Sequence, residues 1–301
     1  MIKTMLVPLD GSTFAEQALA PAIALAQKAD AQLHLIHVLV PVIVGDALMQ
    51  YTMVDVESPE QARGYLGEVL RRMPADLKQR PAGQVLDGPV TQVIQEYVQA
   101  HHADLLVMST HGRGPLSRAW LGSVADELVR HVPIPILLVR PEEGQQMPAA
   151  PAGFGHVLVS VDGSARSEKI VQPAEELARL FGAKITLLRV VPPAPIHGLE
   201  LIGQPMASDS LENWRIMRLA ADDQLKREAD ELVKHGLKAQ TRVVENRHTA
   251  QAILDEAKKL GCDLIAAETH GRAGLSRMVL GSVADKVVRG AHCAVLVHRT
   301  A

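Results

Sequence analysis

One stretch of this chain occurs twice: Thr110-His-Gly-Arg-Gly-Pro-Leu-Ser-Arg-Ala-Trp-Leu-Gly-Ser-Val-Ala-Asp126 returns as Thr269-His-Gly-Arg-Ala-Gly-Leu-Ser-Arg-Met-Val-Leu-Gly-Ser-Val-Ala-Asp285. The offset is 159 residues, and 17 of 31 positions agree when 110–140 is laid over 269–299 without a gap. Self-similarity at a fixed, long offset decides the architecture before any local pattern does. The 301-residue chain must be two copies of one unit.

Each copy of the stretch follows an apolar run, Asp104–Ser109 or Asp263–Glu268, and precedes an amphipathic run and a further apolar strand. The context is therefore strand, loop, helix, strand. Within the loop, Gly112 and Gly122, or Gly271 and Gly281, are separated by nine residues. Glycine permits close approach of the backbone. Gly122-Ser123 and Gly281-Ser282 fall where a helix should begin, and the unpaired N–H groups of a helix start favour an anion. A phosphate is the expected guest, and Gly122→Val is expected to remove it by filling its space. Ser123–Asp126 and Ser282–Asp285 also have capping-box spacing, which needs no ligand.

The remaining pattern repeats in step. In the first half, strands are expected near 2–9, 31–39, 83–86, 105–108 and 134–139, with helices near 13–26, 59–73, 90–101 and 123–131. In the second half, strands are expected near 156–161, 183–191, 239–244, 263–268 and 294–297, with helices near 168–181, 211–235 and 249–260. Alternation of strand and helix is the signature of a doubly wound parallel sheet. The expected fold is α/β, with two tandem five-stranded domains over 1–141 and 156–301. Residues 142–155, rich in Pro, Gly and Ala, read as the linker. Asp10-Gly-Ser12 and Asp162-Gly-Ser164 close the first strand of each half, and either Asp could cap the helix that follows. From that Asp to the loop glycine is 102 residues in one copy and 109 in the other, and the extra length is assigned to 192–210.

Composition excludes several classes. Aromatics are 3% against 47% apolar residues, so the cores must be aliphatic, as in parallel sheets. A net charge of −3 gives no footprint for nucleic acid. No run nears the roughly 18 apolar residues that span a bilayer, and the N-terminus lacks a secretory pattern, so a soluble cytoplasmic protein is expected. Cys262 and Cys293 read as small buried hydrophobes. Of thirteen histidines, His34 and His37 fall on opposite faces of a strand, and no metal site is expected. His111 and His270 read as loop-shaping residues. A P-loop, a dinucleotide fingerprint and a nucleophile elbow are all missing, and no catalytic base can be named.

The strand ending Val7-Pro-Leu-Asp-Gly-Ser12, with the distal His-Gly-Arg and Leu-Gly-Ser-Val-Ala at fixed distance, resembles the universal stress proteins, in both halves. The resemblance implies a tandem member of that family, sheet order 3-2-1-4-5, and adenine-nucleotide binding. Its motif is Gly, two residues, Gly, nine residues, then Gly-Ser or Gly-Thr. The first glycine is replaced by Ser109 in one copy and Glu268 in the other.

The first site would comprise Pro8, Asp10, Val38, Ser109, Gly112, Arg113, Gly122, Ser123 and Val124. Asp10 and Val38 would lie near adenine and ribose, and Gly112, Gly122, Ser123 and Val124 around the phosphates. A second, weaker site would comprise Asp162, Val190, Gly271, Arg272, Gly281, Ser282 and Val283. The expected ligand is ATP, ADP or AMP, with Mg²⁺ as a companion ion. Arg113 could add charge-assisted bonds. Ser160 stands where the first half has Pro8, and Glu268 brings a negative charge toward a polyanion, so the first site is expected to bind more tightly.

Order 3-2-1-4-5 would leave an apolar fifth strand at each sheet edge. Antiparallel pairing of the two, a pseudo-dimer within one chain, is expected, and a homodimer of whole chains is a weaker expectation. Two alternatives to a nucleotide-sensing module are a slow ATP-hydrolysing enzyme and an interaction protein that binds no nucleotide.

Overall fold

A computed structural model describes residues 1–40, 57–111, 121–141, 153–165, 167–195, 208–269 and 281–299. The chain divides into two compact units, Met1–Gly153 and Phe154–Ala301. In the first, β1 (Thr4–Leu9), β2 (Gln32–Leu39), β3 (Ala82–Asp87), β4 (Leu105–Ser109) and β5 (Ile136–Val139) alternate with helices. These are α1 (Thr13–Glu16), α2 (Leu19–Ala29), α3 (Pro59–Arg71), α4 (Val90–Ala100) and α5 (Ser123–His131). The sheet runs β3-β2-β1-β4-β5, with every described pairing parallel.

The second unit repeats the plan. Its strands are β6 (His156–Ser160), β7 (Lys184–Val191), β8 (Lys238–Glu245), β9 (Leu264–Glu268) and β10 (Ala294–His298). A 3₁₀ turn at Ser167–Ile170 precedes α6 (Val171–Phe181), followed by α7 (Ser208–Lys234), α8 (Thr249–Leu260) and α9 (Ser282–Gly290). The order is β8-β7-β6-β9-β10, again parallel.

The central strands are short aliphatic runs covered on both faces, which is why they lack polar alternation. Met5, Leu6 and Val7 are buried, as are Leu105–Val107, Val157–Val159 and Leu264–Ala267. One polar device recurs in both units. The Asp104 carboxylate accepts from the backbone N–H groups of Lys3 and Thr4, at 2.7 and 2.9 Å. Asp263 does the same for Gly155 and His156, at 2.7 and 2.9 Å. Each Asp thereby fixes where its first strand begins beside the fourth.

The first helix of each unit is not the continuous run expected. It breaks into α1 and α2 in one unit, and into a 3₁₀ turn and α6 in the other. Pro21 and Pro173 sit at the third position of α2 and α6 and lack the N–H that would bond four residues back, so the helix restarts there. Of the expected linker, only 153–155 lies within the described residues. Phe154 is buried edge-on to Phe181 with ring centroids 5.4 Å apart, so the second unit's packing already includes it. Val191 follows Leu39 by 152 residues and Thr249 follows Val90 by 159, so the extra seven residues enter between Val191 and Thr249.

Candidate functional site

Sheet order reverses between β1 and β4, whose chains leave the sheet side by side. Ligands of doubly wound sheets bind in the crevice at such a point. Asp10 ends β1. Its Oδ1 accepts from the backbone N–H of Ser12 at 3.0 Å and from the Ser12 hydroxyl at 2.6 Å, around Gly11 at φ 83°. Ser12 Oγ in turn accepts from Ala15 N–H at 3.1 Å. The cap of α1 is therefore Ser12, and Asp10 holds that cap in place rather than supplying it. In the second unit Asp162 accepts from Ser164 N–H at 2.9 Å, and Ser164 Oγ accepts from Ser167 N–H at 3.1 Å.

Ser109, at the end of β4, is buried, and its Oγ accepts from His111 N–H at 3.3 Å. Gly122 then returns the chain to the same strand end: its N–H donates to Thr110 O at 2.8 Å. A Cβ on Gly122 would lie 3.0 Å from that same oxygen. Contact with the end of its own strand is therefore one reason for a glycine here, beside the one expected from sequence. Gly281 N–H donates to Thr269 O at 2.6 Å in the second unit.

The expected capping boxes do not form. The N-caps of α5 and α9 are Gly122 and Gly281, with no side-chain cap bond. Asp126 turns instead to Arg130, with contacts of 3.0 and 2.9 Å, and Asp285 to Arg289 at 2.8 Å. Each helix thus begins without a side-chain acceptor of its own at the cap, a start that suits an external anion. Ser123 is exposed there and Val124 half-buried. Pro8 and Val38 are half-buried at the ends of β1 and β2, and Val190 occupies the matching place on β7. Gly112, Arg113, Gly271, Arg272 and His270 lie outside the described residues.

Sequence reasoning missed the polar groups beneath the Asp-Gly-Ser turns. In the first unit His37 pairs in register with Leu9, and its Nε2 lies 3.2 Å from Glu57. Its ring meets Tyr65 of α3 edge-on at 5.6 Å. Burial, reinforced by Glu16 and Asp10, raises the Tyr65 phenol above its ordinary range. Glu16 is held by Arg72 at 2.9 Å. His34 turns to α4 instead, bonding Tyr97 Oη at 2.9 Å. In the second unit the corresponding groups are Glu168, Arg189, Gln224 and Glu228. A signal for them existed: Glu16 and Glu168 stand six residues after Asp10 and Asp162, and His37 and Arg189 one before Val38 and Val190. Cys262 and Cys293 are remote from this chemistry, and burial pushes both thiols up to about 12.

Fold and site define a class: two doubly wound units, each with a polar turn after its first strand and a helix after its fourth whose cap residue is a glycine. The universal stress protein family model matches residues 1–140 and again 153–299, so the chain belongs to the universal stress protein family, as a tandem member. A universal stress protein of Mycolicibacterium smegmatis is 27% identical over 306 residues, covering 98% of this chain and 96% of the relative. One from Methanocaldococcus jannaschii is 32% identical over 152 residues, 48% of this chain and 81% of the relative. A universal stress protein structure from Archaeoglobus fulgidus superposes with a TM-score of 0.67 at 15% identity, over 99% of this chain and 96% of that one. At that identity the likeness speaks for the fold.

Proposed function

We propose that this tandem universal stress protein is an adenine-nucleotide-binding module whose occupancy by ATP, ADP or AMP sets its conformation or choice of partner. The observation that carries the reading is the start of α5. Gly122 places it against the end of β4 with no side-chain cap, across the sheet-order reversal from Asp10. A triphosphate would lay its oxygens on the N–H groups of Ser123 and Val124, where the helix dipole favours negative charge. Ser109 is small and can donate to an anionic oxygen, Asp10 and Val38 would border the ribose and base, and Mg²⁺ would offset phosphate charge. Gly112 and Arg113 would complete the loop. The second site, at Asp162, Val190, Gly281, Ser282 and Val283 with Gly271 and Arg272, would be the weaker one. Mass spectrometry of gently purified full-length protein is the test. Co-purified ATP, ADP or AMP supports binding, whereas protein that is empty and also takes up no added ATP rejects it.

Assembly is part of the proposal. β5 and β10 are short, apolar terminal strands of their own units, and Leu137 and Leu296 are fully buried. Antiparallel pairing of one with the other would make the pseudo-dimer and remove two exposed edges. Leu137→Glu should then lower the melting temperature of both units together, and unchanged melting of the second unit would reject the pairing. Among the described residues no helix is long and apolar enough to cross a membrane.

A further inference from the structure

The helix that leads into β8 is much longer than its counterpart in the first unit. α7 has 27 residues, whereas α3, which leads into β3, has 13. Only the later part of α7 is seated in its unit: Ala221, Leu225, Ala229 and Leu232 are buried, and between Ser210 and Ala220 no residue is. The early turns are tethered along one side. Trp214 Nε1 donates to Pro192 O at 2.9 Å, and Arg218 pairs at 3.1 Å with Glu245, which ends β8. The Arg218 guanidinium lies 5.9 Å from the centre of the Trp214 ring. The other side is open and apolar. Ile216 is 56% exposed and Leu219 61%, three residues apart and therefore neighbours on one stripe of the helix.

We propose that this open stripe of α7 docks on the same stripe of a second copy of the chain, the two helices running antiparallel about a two-fold axis at Leu219. The charges that flank the apolar pair select this occupant. Along the stripe, at steps of three or four residues, stand Glu212, Arg215, Leu219, Asp223 and Lys226, all exposed. A two-fold axis at Leu219 brings to one level residues that lie equally far before and after it. Glu212 and Lys226 are each seven residues from Leu219, and Arg215 and Asp223 are each four. Each acid of one copy is thus level with a base of the other, and both pairings give the same axis. Parallel helices in register would instead set every charge beside its own like, which is costly.

Within one copy these charges have only weak partners. Arg215 lies 3.6 Å from Glu212, and Lys226 lies 2.6 Å from Asp222, both pairs solvent-accessible and within the same helix. Such pairs contribute little and can be exchanged for partners across an interface. Ile216 and Leu219 supply the attraction, and the charges fix direction and register, as in antiparallel coiled coils. α3 exposes no large apolar residue, so each chain offers one such stripe and association stops at a closed dimer.

Sedimentation velocity of the full-length chain at rising concentration should show the 32.5 kDa monomer converting to a species of twice that mass. Leu219→Lys sets two like charges on the axis and should raise the dissociation constant of the dimer at least roughly tenfold. Its melting should be unchanged, because the side chain is exposed. Arg215→Asp and Asp223→Arg should each weaken dimerisation alone, since either homodimer then opposes like charges. Mixed together, the two variants should dimerise again, because acid faces base at both positions of the mixed pair. Neither lost folding nor an interface elsewhere would give that rescue. A wild-type chain that stays monomeric overturns the proposal, as does a Leu219→Lys dimer of undiminished affinity or a mixture of the two charge variants that does not associate. A monomer whose 211–223 peptides are strongly protected from hydrogen exchange would have its stripe covered by its own chain, and that result also overturns it.

Discussion

The two units are built on the same backbone plan, yet they neutralise their buried charge differently. In both, an acid six residues past the strand-one Asp lies under the turn. Glu16 takes its cation from the C-terminal end of α3, as Arg72 at 2.9 Å. Near Glu168 the cation comes from the strand, as Arg189, with Gln224 as intermediary and Glu228 added beside it. In the second unit the cation on the strand lies against the turn at Gly163. A side chain on a parallel strand is held more tightly by close packing than a long residue on a half-exposed helix, so the second unit's cation is the more firmly placed of the two.

The comparison can be broken at several points. The largest effect is expected from Ser123→Asp. An aspartate in the first turn suits the helix dipole, so folding should be kept, but it sets a negative charge against the phosphates. Like charges about 4 Å apart repel by roughly 4 kcal/mol at an effective dielectric near 20. Calorimetry should show ATP affinity falling by at least roughly a hundredfold, while Ser282→Asp in the second unit should leave it unchanged.

Next come Asp104→Ala and Asp263→Ala. Each removes a carboxylate that two backbone N–H groups share, and each should cost about 2–3 kcal/mol in denaturant unfolding. Similar values for the two would show that this device is common to both units, and a large difference would break the parallel there.

Glu228 supplies a pH test that only the second unit should show. Its carboxyl is raised from 4.5 to about 7 by burial and by Glu168. Between those values the folded chain keeps a proton that the unfolded chain has released, so stability falls as pH rises from 4.5 to about 7 and levels off above. Solvent reaches this half-buried pair, so the effect is discounted to about 1–2 kcal/mol. Glu228→Gln should flatten that slope in pH-dependent melting, and an unaltered slope would place the titration elsewhere. The smallest effect is Ser12→Ala, which removes the α1 cap and should cost about 1 kcal/mol.

Much of this was legible in the chain. The repeat and the strand–helix alternation required two doubly wound units, and α8 was read to the residue because Thr249–Leu260 is periodic and Gly261 ends it at φ 63°. The interruption of the first helices was not read, although Pro21 and Pro173 announced it, because an Ala-rich periodic run outweighed one missing N–H. The caps at Ser123 and Ser282 were misplaced by one residue. Capping-box spacing is a local cue, whereas the helix start was set by Gly122 and Gly281 bonding back to Thr110 and Thr269, which only the packed strand end reveals. Arg189 was invisible for a similar reason: a lone arginine in a strand pattern acquires meaning only when the turn at Gly163 lies against it.

The central claim is that nucleotide engages the starts of α1 and α5 more tightly than the matching places in the second unit. Hydrogen–deuterium exchange of the full chain, with and without ATP and Mg²⁺, tests it most directly. The account predicts that, as ATP is raised, exchange slows first in peptides spanning 4–17 and 105–131, and only at higher concentration in those spanning 156–170 and 264–290. Protection of 156–170 and 264–290 at the same or lower ATP concentration would contradict it.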